Sequence, residues 1–271
     1  MIYNFYSLKT MFNTHVGSGQ TSYGIVDNIV QKDYLTSYPC INSTSLKGAL
    51  REWVKVSLNK ETITIFGDAN ETDKGIEKQG KMNKPGSHHF FQASLLSYPM
   101  RSDKIQFFNA TCPDILKSLK SQLNEFGIFD LDDDLDILLH MQPEPKYPIS
   151  LTNKADFIVE AHNIKTVAQN IPLSDNLKEL FGNNVIIMHD DDFNLLIKKL
   201  PINTRNHLEN GQSSNLFYEE IVPRETRFGF VVGSNKVDEN SFSSIADESK
   251  LLQIGANATV GYGFCKIKKI V

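Results

Sequence analysis

The stretch Ser43–Leu58, "STSLKGALREWVKVSL", decides the first part of the fold. Leu46, Ala49, Leu50, Trp53 and Val54 recur at helical spacing and form one apolar stripe. Ser43 or Ser45 can cap the start. Lys47, Arg51 and Lys55 recur every four residues, on a second face offset from the stripe. A helix N-terminus with a first-turn lysine suits a phosphate. A solvated basic face explains the same spacing, and taken alone it is the favoured reading. Gly48 costs about 1 kcal/mol relative to alanine inside a helix, which the close approach of another backbone could offset.

Outward from this helix, "IYNFYSLK" before it reads as a first strand. After it, residues 59–87 are polar and glycine-punctuated, an irregular insertion. "HFFQASLLSYP" and "KIQFFN" read as two strands, and "CPDILKSLKSQLNEF" as a second amphipathic helix with Pro113 in its first turn. "ADFIVEAHNI" reads as a strand and "SDNLKELFGN" as a short helix ended by Gly182. "VIIM" is a buried strand, and "DDFNLLIKKL" a helix capped by an aspartate. "NLFYEEIV" and "RETRFGFVVG" are strands joined around Pro223, and "IGANATVGYGFCKIKKIV" is a glycine-rich turn running into a last strand. Strands at both ends with two major helices between them predict an α+β sandwich of ferredoxin type.

Composition bounds the function. The 271 residues, 40% hydrophobic and 22% charged, describe an ordinary globular chain with a sizeable core. No apolar run approaches the roughly 18 residues of a membrane span, and the first residues lack the pattern of a secretory signal. Cys40, Cys112 and Cys265 are far apart and odd in number, as free thiols in a reducing cytoplasm would be. The net charge of −4 argues against nucleic-acid binding by the whole surface but leaves room for a local basic groove.

Several further motifs bear on chemistry. "THVGSGQTSYGIVDNIVQKD", Thr14–Asp33, lacks the lysine and the following helix of a phosphate loop. It does hold a histidine, His15, the residue type suited to acid–base work near neutrality, and Asp27 between apolar residues. "IGANATVGYG" could let an RNA backbone lie close, or form a tight turn beside a bulged strand. In "LFYEEIVPRET", alternation puts Tyr218 and Glu220 on one face and Glu219 on the other. A strand glutamate read in isolation is solvent-facing. "DLDDDLD" (Asp130–Asp136) and "HDDD" (His189–Asp192) read as helix-start or solvated acids rather than metal ligands, and His88-His89 forms no motif.

Together and in this order, "HVGSG", "GIVDNIVQKD", "INSTSLKGALRE", "IFGD", "LFYEEIVPRET" and "LQIGANATVGYG" resemble the backbone RAMP subunit of type III-B (Cmr) CRISPR effector complexes. The likeness runs from His15 to Gly263. "LFYEE" before "VPRET" favours this family over the type III-A counterpart. The resemblance implies a single RAMP domain over residues 1–271, with an RRM-like palm, inserted fingers at roughly 59–87 and a thumb at roughly 200–245. It implies copies stacked as a filament on guide CRISPR RNA, beside other subunits of the complex, in the cytoplasm and with no membrane partner. Guide-paired target RNA would be cut at regular intervals, with magnesium or manganese as cofactor.

Residue by residue, the resemblance makes Asp27 the catalytic aspartate and a metal ligand. His15 would stand nearby, and Tyr218, Glu219 and Glu220 would assist. RNA contacts would fall on Gly17, Ser18 and Gly19, on Ser45, Lys47 and Arg51, and on Gly255, Asn257, Gly261 and Gly263. The alternatives are a guide-holding filament subunit without activity, and a guide-processing endonuclease acting alone.

Overall fold

The computed structural model describes residues 1–21, 24–59, 62–68, 85–152, 157–160, 167–168, 171–235, 242–246 and 250–271. The strands are β1 (Ile2–Thr10), β2 (Gly17–Thr21), β3 (Asn28–Val30), β4 (His88–Phe90), β5 (Ser94–Arg101), β6 (Phe107–Thr111), β7 (Ile149–Ser150), β8 (Val167–Ala168), β9 (Val185–Ile187), β10 (Ile202–Glu209), β11 (Gln212–Glu220), β12 (Arg227–Ser234), β13 (Leu252–Gln253) and β14 (Phe264–Lys269). The helices are α1 (Ser43–Glu52), α2 (Ile63–Phe66), α3 (Pro113–Glu125), α4 (Asp132–Leu139), α5 (Asp175–Phe181), α6 (Asp190–Ile197) and α7 (Phe242–Ala246).

The large sheet runs β13-β14-β1-β12-β5-β6-β9-β7-β8, with β4 also on β12. Its centre, β14-β1-β12-β5, is antiparallel throughout. In chain order these are the fourth, first, third and second strands of a β-α-β-β-α-β unit, with α1 and α7 as the crossovers. The expected ferredoxin-like α+β core is therefore present. Its second crossover is the five-residue α7, whereas the longer α3 lies in the excursion between β5 and β12.

Alternation along the central strands builds a core on each face of the sheet. On one face Tyr6, Phe230 and Val232 pack against Leu46, Leu50 and Trp53 of α1 and Phe242 of α7. Tyr6 stacks on Phe230 at 5.3 Å between ring centroids. On the other face Phe5, Leu96 and Val231 meet Leu116 and Leu119 of α3 and Leu180 of α5.

Several elements differ from the sequence reading. No serine caps α1: Asn42 is the N-cap residue, without a side-chain cap bond. Beyond Glu52 the helix widens into a π turn, Trp53–Ser57, which breaks the four-residue repeat that would align Lys55 with Lys47 and Arg51. A Cβ on Gly48 would meet nothing within 4 Å, so no backbone among the described residues packs there. "ADFIVEAHNI" is not a regular strand over its described part: Phe157 and Val159 are buried, and Val159 bridges only to Ser102. Its residues 155–156 and 161–164 lie outside the described residues, as do 60–61 and 69–84 of the expected fingers. The acidic run opens α4, with Asp132–Asp134 in the first turn. His189, not an aspartate, caps α6, its Nδ1 accepting from the Asp191 N–H.

The second sheet, β10-β11-β3-β2, positions the site. The hairpin β10–β11 closes on Asn210 and Gly211, both at positive φ (51° and 81°) as a two-residue primed turn requires. It lies within the 200–245 span expected for a thumb.

Candidate active site

Asp27 immediately precedes β3. Its backbone N–H donates to the Tyr218 carbonyl (3.0 Å), and its Oδ2 accepts the Tyr218 N–H (2.8 Å). This reciprocal pair anchors the carboxylate to β11, yet Asp27 is exposed. Its other oxygen, Oδ1, takes no hydrogen bond from the described residues. Asp27 is thus held in place with one oxygen open to a ligand.

His15 is buried, 4% exposed. Its Nδ1 lies 2.7 Å from the Glu220 carbonyl oxygen. A carbonyl only accepts, so Nδ1 carries the proton. Nε2 then faces the Glu219 carboxylate at 3.7 Å. The ring is thus held by β11 through Glu220 and faces Glu219.

Both glutamates are buried, against the solvent-facing expectation. Alternation does separate them, as the sequence predicts. Glu219 accepts from Asn257 Nδ2 at 2.9 and 3.1 Å and lies 3.6 Å from Arg205 Nη1. Glu220 accepts from Lys32 Nζ (2.9 Å) and from the Val30 N–H (3.2 Å). Isolated carboxylates would be too costly to bury, and these partners offset the desolvation. Tyr218 joins Asp27 through its backbone.

The glycine loop reaches the same place. Asn257 sits in the left-handed region (φ 67°), its side chain bridging Glu219 and Arg205 of β10. Gly255 has φ 84°, and a Cβ there would fall 2.3 Å from the His15 carbonyl oxygen. Gly263, at φ 79°, would strike the Ile254 carbonyl at 2.1 Å. Gly261 faces open space. Gly19 does likewise, whereas a Cβ on Gly17 would come 3.1 Å from His15 Nε2. Ser18 lies between them in β2, half-buried.

The expected RNA face of α1 divides. Lys47 makes no ion pair or hydrogen bond with the described residues. Arg51 is committed internally: Nη2 donates to the Phe66 carbonyl (2.8 Å) and the Gly67 carbonyl (3.3 Å), closing the end of α2. Ser45 Oγ accepts from Gln31 Nε2 (2.8 Å). Gln31, Arg205 and Lys32 escaped the sequence reading. The Asn-Gly turn was the available signal for Arg205, since it marks the hairpin that carries it. Asp33, at the end of the stretch, is also engaged. Partial burial raises its carboxyl, but hydrogen bonds from Thr36, Gln92 and Leu35 hold it below the usual range overall.

No group of three or more His, Cys, Asp or Glu able to hold a metal occurs among the described residues. Asp27 Oδ1 fits a magnesium-type ion only as one oxygen ligand, with water and RNA phosphates supplying the rest, a common arrangement for that ion.

An α+β protein with a ferredoxin-like palm and a second sheet holding an exposed aspartate defines the structural class. The RAMP superfamily profile matches residues 7–266, and the chain belongs to that family. It is 29% identical, over 96% of its length and 93% of the relative's, to the CRISPR system Cmr endoribonuclease Cmr4 of Pyrococcus furiosus. Its fold matches a subunit in the cryo-EM structure of the type III-B Cmr-beta complex bound to cognate target RNA. That match has a TM-score of 0.82 at 19% identity, covering 100% of this chain and 98% of the other. It also matches oligomeric Cmr4 from Pyrococcus furiosus, with a TM-score of 0.67 at 24% identity over 99% and 98% of the chains.

Proposed function

We propose that the chain is a guide-RNA-binding backbone subunit of a type III-B effector in the cytoplasm, stacked with its own copies and other Cmr subunits, and that it cleaves guide-paired target RNA. The observation that carries the reading is Asp27, exposed yet clamped to Tyr218, with one carboxylate oxygen free. RNA supplies its own nucleophile, the 2′-hydroxyl beside the scissile phosphate. Displacing the neighbouring base would align that hydroxyl with the leaving 5′-oxygen. Asp27 Oδ1 would take the hydroxyl proton or serve as one ligand of a divalent ion. A bound magnesium or manganese ion supplies charge neutralisation at the phosphate. The chain's own part is to hold one carboxylate still beside a backbone that Gly19 leaves uncrowded. Lys47 and the uncapped N-terminus of α1 provide the phosphate contacts on the guide side.

Asp27→Asn tests this sharply. The amide oxygen can still accept the Tyr218 N–H, so the loop stays in place while the charge is lost. Reconstituted complex carrying Asp27→Asn should bind target normally and cut at least about 100-fold more slowly, as loss of a positioned base does. Wild-type products should carry a cyclic phosphate and a 5′-hydroxyl. Normal cutting by the variant refutes the assignment, and 5′-phosphate products refute internal attack.

One observation favours the competing reading of a purely structural guide-holding subunit. His15, Glu219 and Glu220 are buried and engaged, so Asp27 acts without a second exposed acid or base from that cluster. A wild-type complex that never cuts, with either metal present, establishes it.

A further inference from the structure

Gln31 is buried, 8% exposed, and lies four residues beyond Asp27. Its side-chain amide joins three segments. Nε2 donates to the Gly17 carbonyl at the start of β2 (3.1 Å) and to Ser45 Oγ in the first turn of α1 (2.8 Å). Oε1 accepts the N–H of Asn42, the residue that precedes α1 (2.8 Å). Its backbone is used too, donating to the Val16 carbonyl (2.8 Å) and accepting from the Cys40 N–H (3.0 Å). Both amide donors are spent.

The regular structure around it is slight. β3 has three residues and meets β11 at one register position, Glu219↔Asn28. Its pairing with β2 is irregular between Gly17↔Val30 and Thr21↔Asn28. The segment carrying Asp27 is therefore clamped at both ends. Tyr218 holds Asp27 itself, Glu220 accepts from Val30, and Gln31 ties the far end to the entrance of α1. Four extended residues span at most about 14 Å, so a shift at the entrance of α1 has little slack to absorb it before Asp27.

We infer that Gln31 is a positioning residue that fixes Asp27 relative to the N-terminus of α1, keeping the cleavage loop in register with the guide-binding helix. The inference rests on the cleavage reading above and identifies a residue that acts through Asp27 without touching RNA.

The test uses the assembled complex with guide RNA. Gln31→Met keeps the volume and removes every amide bond. Gln31→Glu keeps the acceptor for Asn42 and sets a carboxylate against the Gly17 carbonyl. Single-turnover cleavage is followed against target concentration, and target affinity is measured separately. Gln31→Met should lower the maximal rate roughly 10- to 100-fold, the range expected of a misplaced reacting group. Target affinity should stay within about twofold, since the contact acts on the chemical step. Gln31→Glu should lie between Gln31→Met and wild type.

An unchanged maximal rate, or affinity falling in step with rate, overturns the inference. So does failure of both variants to load guide RNA, which would make Gln31 a folding residue. Asp27→Asn in parallel separates the two readings. If it cuts normally, the cleavage assignment itself fails. If it is inactive while Gln31→Met is normal, only the positioning role fails.

Discussion

Glu219→Gln is the most informative perturbation of the network behind Asp27. The Glu219 side chain is 4% exposed, so solvent screens its contacts little. It receives the Asn257 amide across both oxygens, at 2.9 and 3.1 Å. Glutamine keeps the shape but turns an NH2 toward Asn257 Nδ2 or Arg205, both donors. One charge-assisted hydrogen bond is worth about 1.5–3 kcal/mol. The contact at 3.6 Å to Arg205 is too long for a hydrogen bond and adds only charge attraction. The substitution should therefore destabilise the RNA-free subunit by roughly 2–3 kcal/mol. Urea unfolding followed by circular dichroism measures this as a lowered midpoint at constant slope. Asn257→Gly completes a double-mutant cycle, because glycine removes the side chain without straining the left-handed backbone (φ 67°). The coupling between the two changes should fall at about 1–3 kcal/mol. A Glu219→Gln effect below about 0.5 kcal/mol, as for ordinary surface changes, or strict additivity in the cycle, would refute the idea that Glu219 holds the glycine loop to the hairpin.

Two further outcomes follow from the same geometry. Arg51→Ala should lower the subunit's stability by about 1.5–3 kcal/mol by orphaning the Phe66 and Gly67 carbonyls, whereas Lys47→Ala should leave stability within about 0.5 kcal/mol and reduce the salt slope of guide binding by roughly one unit; denaturation and salt-titrated binding separate them. Gly255→Ala should be the more damaging glycine change, because it adds a Cβ 2.3 Å from the His15 carbonyl to the strain of a left-handed backbone, while Gly261→Ala meets only the backbone term of about 1–2 kcal/mol; comparing their unfolding midpoints checks this.

Much of the fold was legible because its signals are local. The stripe of Leu46, Leu50 and Trp53 marks α1, Pro113 marks the start of α3, and Ser174 and Gly182 bracket α5. The hairpin was half missed. β10, "INTRNHLE", is polar and its described side chains are largely exposed, so it lacks the apolar alternation that identifies a strand. The Asn210-Gly211 turn was the better guide. Phe157 and Val159 misled in the opposite sense: they are buried as a strand's residues would be, but of the two Val159 alone makes a bridge, an isolated one to Ser102. At the site, the resemblance and not the spacing pointed to His15, Asp27, Glu219 and Asn257, and it did not foresee which of them are buried and engaged with one another. That distinction depends on burial and partners contributed from 38 to 205 positions away, as for Asn257 with Glu219 and Glu220 with His15.

On the proposed function, the division among the acids reconciles a net charge of −4 with a face turned to RNA. Glu219 and Glu220 are turned inward, beside Arg205 and Lys32 respectively. Their charge is spent locally rather than projected at a phosphate backbone. Asp27 is the exception, and it is the acid with an unengaged oxygen in this cluster. An exposed carboxylate repels RNA at the distance where it must act, so leaving it unpaired is unfavourable for binding alone. A subunit that only held RNA would gain from an asparagine at this position, which keeps the Tyr218 clamp and loses the repulsion. Under either reading the Asp27→Asn variant should bind target at least as well as wild type, so cutting separates them: unchanged for a passive scaffold, lost for the nuclease.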